Sequence, residues 1–576
     1  MRPTATDPGA PPSAELVARA RRWVAADPDP VTRAVVADAL AVGDGAVLAE
    51  LFDGWLRFGT SGLRARRGPG PRRMNELVAR CVAAGLVGWL DGRGVAAPRV
   101  VVAHDARHGS AGFAAAMAEV VAGRGGTPLR LPEAVPTPVG VWAGRWSGAD
   151  ATVVCTASHN PPSDGGVKVY LGDGAQPVPP DDAALADAIA ATDLAALPPV
   201  GEPPPPVDAG PLVDAYLDHV AGLVGPVGDG DLPLVHTALH GVGGELVARA
   251  FERAGRRPPV PVVAQARPDP DFPTVAVPNP EEPGALDLAV GRAAQVGAAA
   301  VLASDPDADR LGVAVPAPPW GVAGAHEVGD GWVRLTGDQV GWLLVDHLLA
   351  RGDGPDRLVV TTVEASRLAA RLAARAGVHH VEVPTGFKWI ARAAMARPEL
   401  AFVAGYEQAL GYSVDDAVRD KDGISAALVL AEVLGRLGAQ GATVWDALES
   451  LARRVGHHAT AARWWRGRDG DGATLTAAVA ALRADPPTAV GGRAVRAVVD
   501  LAEVTPGSPV DGLVVELDDG ARAVVRPSGT EPKLKVYVEV VSDLSDRTGA
   551  FAAAERAGVA AADALADEMI RLVAPR

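Results

Sequence analysis

Residues 152–170 read TVVCTASHNPPSDGGVKVY. The run ATVVCT (151–156) is apolar and β-branched, which predicts a strand. It breaks into a loop that sets Ser158 beside His159, and Lys168 stands before a further extended run. Upstream, MNELVARCVAAGLVGWL (74–90) has helical apolar spacing, RVVVAHD (99–105) reads as a strand and SAGFAAAMAEVVAG (110–123) as a helix. Strands alternating with helices make βαβ units around a mostly parallel sheet. A loop at the end of such a strand is where α/β folds place ligand groups. Ser158 is therefore read as a nucleophile or phosphate carrier, against a turn serine bonded only to its own loop.

The same alternation continues. LPPVGEPPPPVDAGP (197–211) is a stiff proline-rich linker. A second unit follows, with a strand in LPLVHTALHG, helices in GELVARAFERAG and ALDLAVGRAAQVG, and the strand AAAVLAS. A third begins near TGDQVGWLLVDHLLA. It carries the strands RLVVTTV, HHVEVP and LAFVAG and the helices SRLAARLAARAG and KWIARAAMA. After about residue 455, GRAVRAVVDL, GLVVELDDG, ARAVVRP and LKVYVEVV are strands with few helices between them, and FAAAERAGVAAADALADEMIRLV is a closing helix. The expected fold class is α/β. Three related α/β domains with mixed sheets (1–205, 206–325, 326–455) join a smaller C-terminal α+β domain (456–576) around a central cleft. An N-terminal extension, about residues 1–45, reads as one extra helix in ELVARARRWVAADP.

Composition narrows the functions. A net charge of −16 argues against a general nucleic-acid binder, which needs a positive footprint. One basic cleft inside an acidic surface still suits a small anion. Cys81 and Cys155 are the only cysteines, so a disulfide framework is excluded and a reducing compartment is expected. No secretory h-region and no uninterrupted apolar span are found, so a cytoplasmic protein without a membrane partner is expected.

Further stretches carry chemistry. In ASDPDADRLGVAV (303–315), Asp305, Asp307 and Asp309 alternate. In an extended chain that spacing turns all three carboxylates to one face. They repel unless a cation joins them, and oxygen-only ligands suit a hard ion such as Mg²⁺, a reading set against a solvated acidic turn. In VVRPSGTEPKLKVYVEV (524–540), Arg526, Ser528, Gly529 and Thr530 form a strand–turn–strand anion grip. VPTGFKWI (383–390) puts Lys388 at a helix entry, and VAGYEQALGY (403–412) puts Glu407 after a strand, placed to accept sugar hydroxyls. Taken singly, these two read as solvated surface charges. RFGTSGLRARRGPGPRR (57–73) adds a Gly-Thr-Ser-Gly loop ending in Arg64.

TASHNPPSDGGVKVY, DPDADR, PTGFKW, GYEQALGY and RPSGTEPK, in this order, resemble the α-D-phosphohexomutase superfamily, the phosphoglucomutases and phosphomannomutases. The resemblance spans roughly 50–540. PDPDFPTVAVPNPEEPG (268–284) and VRDKDGISAA (418–427) look closest to the branch with phosphopentomutase-like phosphoglucomutases. It implies an isomerase, an intramolecular phosphotransferase acting on a small sugar phosphate. It implies Ser158 as phosphoserine and metal ligand, Asp305, Asp307 and Asp309 as Mg²⁺ ligands, and a sugar 1,6-bisphosphate as intermediate and activator. Arg526, Ser528, Gly529 and Thr530 would hold the non-reacting phosphate, and Glu407 the sugar hydroxyls, with Arg310 also binding substrate. Lys168 and Lys388 are implied in proton transfer or charge relay, His159 beside the serine, and Arg64 in charge balance. Where many hexose members carry a serine two residues after the glutamate, this chain has Ala409. The expected reaction moves phosphate between C1 and C6 of glucose or mannose phosphate. A phosphopentomutase is the alternative, with a non-catalytic sugar-phosphate sensor and a phosphoserine phosphatase as further readings.

Overall fold

The structure, a computed structural model, describes residues 12–574 apart from 57–58, 60–61, 227–231, 322–326, 330, 468–471, 505–509, 529–532 and 545–550. Four sheets follow one another along the chain. The first holds β1 (Leu63–Arg66), β2 (Arg99–His104), β3 (Thr127–Arg130), β4 (Ala151–Cys155) and β5 (Asp164–Leu171) in the order β1-β5-β4-β2-β3. The second holds β6 (Leu234–Thr237), β7 (Val260–Pro261), β8 (Ala300–Ser304), β9 (Leu311–Pro316) and β10 (Trp332–Arg334) in the order β10-β9-β8-β6-β7. The third holds β11 (Arg357–Thr362), β12 (His379–Val383), β13 (Ala401–Glu407) and β14 (Gly411–Ser413) in the order β12-β11-β13-β14.

These three sheets share one plan. Three parallel strands, β3-β2-β4, β7-β6-β8 and β12-β11-β13, are each followed by an antiparallel strand, β5, β9 or β14. Each unit therefore turns back once at the carboxyl end of a parallel strand. The three turns are 156–163, 305–310 and 408–410. They hold Ser158, the aspartate cluster and the segment following Glu407. The repeat expected from the alternation of elements is thus a repeat of topology, and it puts three motif loops at equivalent places.

The fourth sheet is antiparallel throughout: β15 (His457–Arg466), β16 (Ala489–Val490), β17 (Arg493–Asp500), β18 (Leu513–Leu517), β19 (Arg522–Pro527) and β20 (Lys533–Ser542), in the order β15-β20-β19-β18-β17-β16. Its core includes Val479, Val515, Val525, Val536, Leu565 and Met569. This last group joins the sheet to helices Gly472–Ala484 and Phe551–Val573. The fold is the expected one, three α/β units and a C-terminal α+β unit.

Three local expectations are corrected. The N-terminal extension forms helices Ala14–Ala26, Pro30–Val42 and Gly45–Phe52 rather than one. Trp23 meets Phe52 and Trp55 edge-on at 5.9 and 6.0 Å, and the group shares the core of the first unit. Lys168 lies within β5, opposite Val154 of β4, instead of ahead of the extended run. Residues 305–309 turn between paired strands, with Ser304 opposite Leu311 and Ala308 at φ +53°, so they are not extended. Among the described residues no single helix is long and apolar enough to cross a membrane.

Candidate active site

Ser158 sits in the β4–β5 turn at φ +52°, a left-handed conformation that a non-glycine residue adopts only under local constraint. The constraint is visible. Its N–H donates to Thr156 Oγ1 at 2.9 Å. Arg107 donates to the carbonyls of Ser158 and Asn160 at 2.5 Å and of Pro161 at 2.9 Å. Arg64, on β1, donates to Asn160 Oδ1 at 3.2 Å. The loop is thereby held from two sides while Ser158 Oγ points at the second unit. That oxygen donates to Asp305 Oδ2 at 2.9 Å and lies 3.1 Å from His159 Nδ1. Burial, then the charges of Arg310 and Arg64, push the His159 pKa well below its ordinary value, so the imidazole is neutral.

Asp305, Asp307 and Asp309 are fully buried, and one oxygen from each falls within 4.8 Å of the others. The turn brings them together by its curvature. Lys168 reaches across from β5, with Nζ 2.7 Å from Asp307 Oδ2 and 2.6 Å from Asp309 Oδ2. Thr137 Oγ1 donates to Asp307 Oδ2 at 2.6 Å. Lys421 lies 3.1 Å from Asp309 Oδ2 and 3.0 Å from Asp420 Oδ1. Burial alone would raise the Asp309 pKa, but Lys168 and Lys421 overcome it and hold the carboxylate below its usual range. Asp305, with no lysine of its own, is pushed up to about 8 by burial and then by Asp307 and Asp309.

The donor set fits a hard divalent cation. Asp307 Oδ1 and Asp309 Oδ1 are buried and have no hydrogen-bond partner among the described residues. Buried charged oxygens are costly unless something pairs with them. Asp305 Oδ2 and Ser158 Oγ stand beside them, and all are oxygen ligands.

The remaining candidates form a second group. Arg310 begins the link to the turn that follows Glu407: it bridges Gly411, and Leu311 N–H donates to Leu410 O at 3.1 Å. Glu407 Oε1 accepts from Gly386 N–H at 2.9 Å. Burial raises the Glu407 pKa against the pull of Lys421 and Arg310. Lys388 pairs with Asp182 at 3.3 Å and stands over the Trp389 ring at 5.9 Å, so it faces the first unit rather than the triad. Arg526 is the penultimate residue of β19, its Nε–H bonded to Glu364. Ser528 N–H donates to Lys533 O at 2.7 Å and closes the β19–β20 turn. Gly529 and Thr530 lie outside the described residues.

Sequence reading gave no role to Thr137, Lys421, Asp420 or Glu364. The one available signal was the alternation Asp420-Lys421-Asp422, a charged triplet that usually means a solvated turn.

Four family models match the chain: "Phosphoglucomutase/phosphomannomutase, alpha/beta/alpha domain I" over 56–196, domain II over 214–319, domain III over 336–454, and the C-terminal domain over 471–557. The chain belongs to the phosphoglucomutase/phosphomannomutase family and is an enzyme of the phosphomutase class, an isomerase. It is 37% identical over 473 residues to a Haemophilus influenzae protein named "Probable phosphomannomutase", covering 81% of this chain and 93% of the relative. It is 34% identical over 559 residues to a Schizosaccharomyces pombe protein named "Probable phosphoribomutase", covering 90% and 92%. The fold is that of the phosphoglucomutase/phosphomannomutase family protein of Burkholderia thailandensis, at a TM-score of 0.66 and 23% identity, over 89% of this chain and 96% of that one.

Proposed function

We propose that the protein moves phosphate between C1 and C6 of an aldohexose phosphate, glucose or mannose, with Ser158 as the phosphate carrier. The observation that carries this reading is the 2.9 Å contact of Ser158 Oγ with Asp305 beside two buried carboxylate oxygens, Asp307 Oδ1 and Asp309 Oδ1, that have no hydrogen-bond partner among the described residues, the second of them 4.0 Å from Arg310 Nε. A serine there shares its surroundings with the groups that neutralise a phosphate.

In the first transfer, the bond between phosphorus and Ser158 Oγ breaks as a sugar hydroxyl oxygen bonds to phosphorus. The sugar hydroxyl gives up its proton in the site and the departing Ser158 Oγ gains one, which leaves Ser158 as a free hydroxyl. The product is a sugar 1,6-bisphosphate. In the second, with the bisphosphate turned over in the cleft, Ser158 Oγ bonds to the other phosphorus as the bond from that phosphorus to its sugar oxygen breaks; neutral His159, 3.1 Å from Oγ, is placed to take the serine proton, and the departing sugar oxygen is protonated to a hydroxyl. Catalysis of this kind rests on positioning and charge neutralisation. Mg²⁺ held by Asp305, Asp307, Asp309 and Ser158 would supply Lewis-acid stabilisation of the phosphoryl charge when bound. Lys168 is kept protonated, since Asp307 and Asp309 outweigh its burial. It serves as a fixed positive charge, and Arg64 adds a second behind the loop. Lys388 is the remaining candidate for charge relay from the third unit. Arg310 and Glu407 line the path from the triad to the sugar loop, and Arg526 with Ser528, Gly529 and Thr530 takes the non-reacting phosphate. A trace of sugar bisphosphate primes Ser158. A cytoplasmic setting fits a sugar-phosphate substrate and two buried, reduced cysteines.

A second reading is a phosphopentomutase acting between C1 and C5. It is favoured by Ala409, which removes a hydroxyl from the sugar loop, and by relatives named for ribose and pentose phosphates. One good hydrogen bond is worth about 1 kcal/mol of discrimination, enough to blur a preference. Mutase rates on glucose, mannose, ribose and deoxyribose 1-phosphates, with Mg²⁺ and a trace of the matching bisphosphate, decide it. Faster hexose turnover supports the proposal. A pentose preference of about tenfold or more moves the protein to the second reading.

A further inference from the structure

The segment after β11 is the face on which the fourth unit docks. Val363 packs with Leu501, Val514, Val524 and Tyr537. Ala365 O accepts from Arg522 at 2.5 Å, Ser366 Oγ donates to Glu539 at 2.6 Å, and Arg367 donates to Glu516 at 3.0 Å. Glu364 lies in the middle of this series, its side chain 4% exposed. Its Oε1 accepts from both Arg526 Nε–H and Thr385 Oγ1–H. Its Oε2 is buried and has no partner among the described residues.

We propose that Glu364 is a positioning residue that orients Arg526 for the non-reacting phosphate and sets its distance from Glu407. A guanidinium fixed through Nε turns its NH1/NH2 edge outward as a fork, the shape that matches phosphate, and in Arg526 a bond from Nη1 to Pro527 O at 3.2 Å is a second hold on the same plane. The Tyr537 ring, 5.8 Å from Arg526 Cζ, backs that plane. On the other side Thr385 ties the same carboxylate oxygen to the loop whose next residue, Gly386, donates to Glu407 at 2.9 Å. A continuous chain therefore runs Arg526–Glu364–Thr385–Gly386–Glu407. It joins the phosphate grip of the fourth unit to the hydroxyl clamp of the third. The span between the two is a ruler for the substrate, and Glu364 is the joint in the ruler. The inference rests on the substrate roles given to Arg526 and Glu407 above.

The test compares Glu364→Ala, Glu364→Asp and Glu364→Gln with the unaltered protein. Ala removes the acceptor. Asp retracts it by one methylene. Gln keeps an Oε1 that accepts from both donors. The expected result is a KM for glucose 1-phosphate raised about tenfold or more in Ala and Asp, the scale of one hydrogen bond to a charged group. The ratio of kcat/KM between glucose and ribose 1-phosphates narrows in the same two variants, and Gln recovers most of both losses. A role confined to holding the domains together would lower the melting temperature and leave KM and that ratio in place, which would overturn the inference. Equal losses in Gln and Ala would also overturn it, because charge rather than orientation would then be what matters. Calorimetric binding of glucose 1-phosphate separates this from the functional reading. If the unaltered protein binds the sugar phosphate without turning it over, the mutase reading fails, and a dissociation constant weakened about tenfold in Ala and Asp still supports the inference. Unchanged binding in those variants, or no binding by the unaltered protein, overturns it.

Discussion

Ser158 Oγ donates a 2.9 Å hydrogen bond to Asp305 Oδ2, joining residues 147 positions apart in the chain. Each lies in a turn that leaves a parallel strand for an antiparallel one, in two sheets of the same topology. The fold therefore reuses one structural position, the strand end, to bring a serine hydroxyl from one unit against a carboxylate of the next.

Removal of divalent metal abolishes mutase turnover, and Mg²⁺ restores it. Thr137 Oγ1 orients Asp307 at 2.6 Å and lies 3.4 Å from Lys168 Nζ. Replacing it by valine keeps the shape and removes the hydroxyl. Thr137→Val raises the Mg²⁺ concentration for half-maximal rate about tenfold, as loss of an outer-shell partner does. A metal titration of the rate at fixed substrate checks this.

Lys421 is buried between Asp309 and Asp420, and its removal strands negative charge in the interior. Lys421→Met destabilises the protein by about 3 kcal/mol, the scale for breaking a buried ion pair from one side. Pairing it with Asp309→Asn recovers part of that loss, because the stranded charge goes too. Urea unfolding of the single and double variants measures the coupling.

Asp338 gives the stability a pH dependence. Burial raises its pKa to about 7 from 3.8, against the hydrogen bonds from Ser366 N–H and Tyr406 OH. Between those values the folded chain keeps a proton that the unfolded chain has released. Stability from this group is therefore full below the lower value and is lost as pH rises toward the upper one. Asp338→Asn keeps the acceptor oxygen and removes the titration, so its unfolding free energy lacks that decline. Denaturant unfolding at pH 5, 6, 7 and 8 compares the slopes, whose ceiling for one proton is about 1.4 kcal/mol per pH unit.

Gly337 begins the helix Gly337–Leu349 under the turn that follows Glu407, and a Cβ there would lie 1.9 Å from Gln408 O. A backbone oxygen cannot swing aside as a side-chain end would. Gly337→Ala costs about 1–3 kcal/mol of stability as overpacking does. It also raises the KM for sugar phosphate, because the displaced residues follow Glu407. A melting curve and a rate curve on one preparation test both halves.

Much of this site was legible because its chemistry is packed into short loops. Ser158 with His159, the three aspartates, and Arg526 with Ser528 each stand within a few residues of one another, so residue type and order name them. The alternation of strands and helices showed three related units for the same reason. What the sequence hid is what tertiary contact creates. Lys421 and Thr137 reach the triad from other units, and Glu364 meets Arg526 across 162 positions. The convergence of the aspartates depends on a turn, where spacing alone suggested an extended chain. The second and third N-terminal helices were missed because Asp29 and Asp44, which cap them, look like loop residues until the cap hydrogen bonds are seen.

The central claim is that Ser158 carries the phosphate. The most direct measurement is peptide mass spectrometry after incubation with glucose 1,6-bisphosphate and Mg²⁺, run beside the mutase rate of Ser158→Ala. The account expects phosphate on Ser158 and a rate reduced about a thousandfold or more in the variant. An unmodified Ser158 together with full turnover in Ser158→Ala would contradict it.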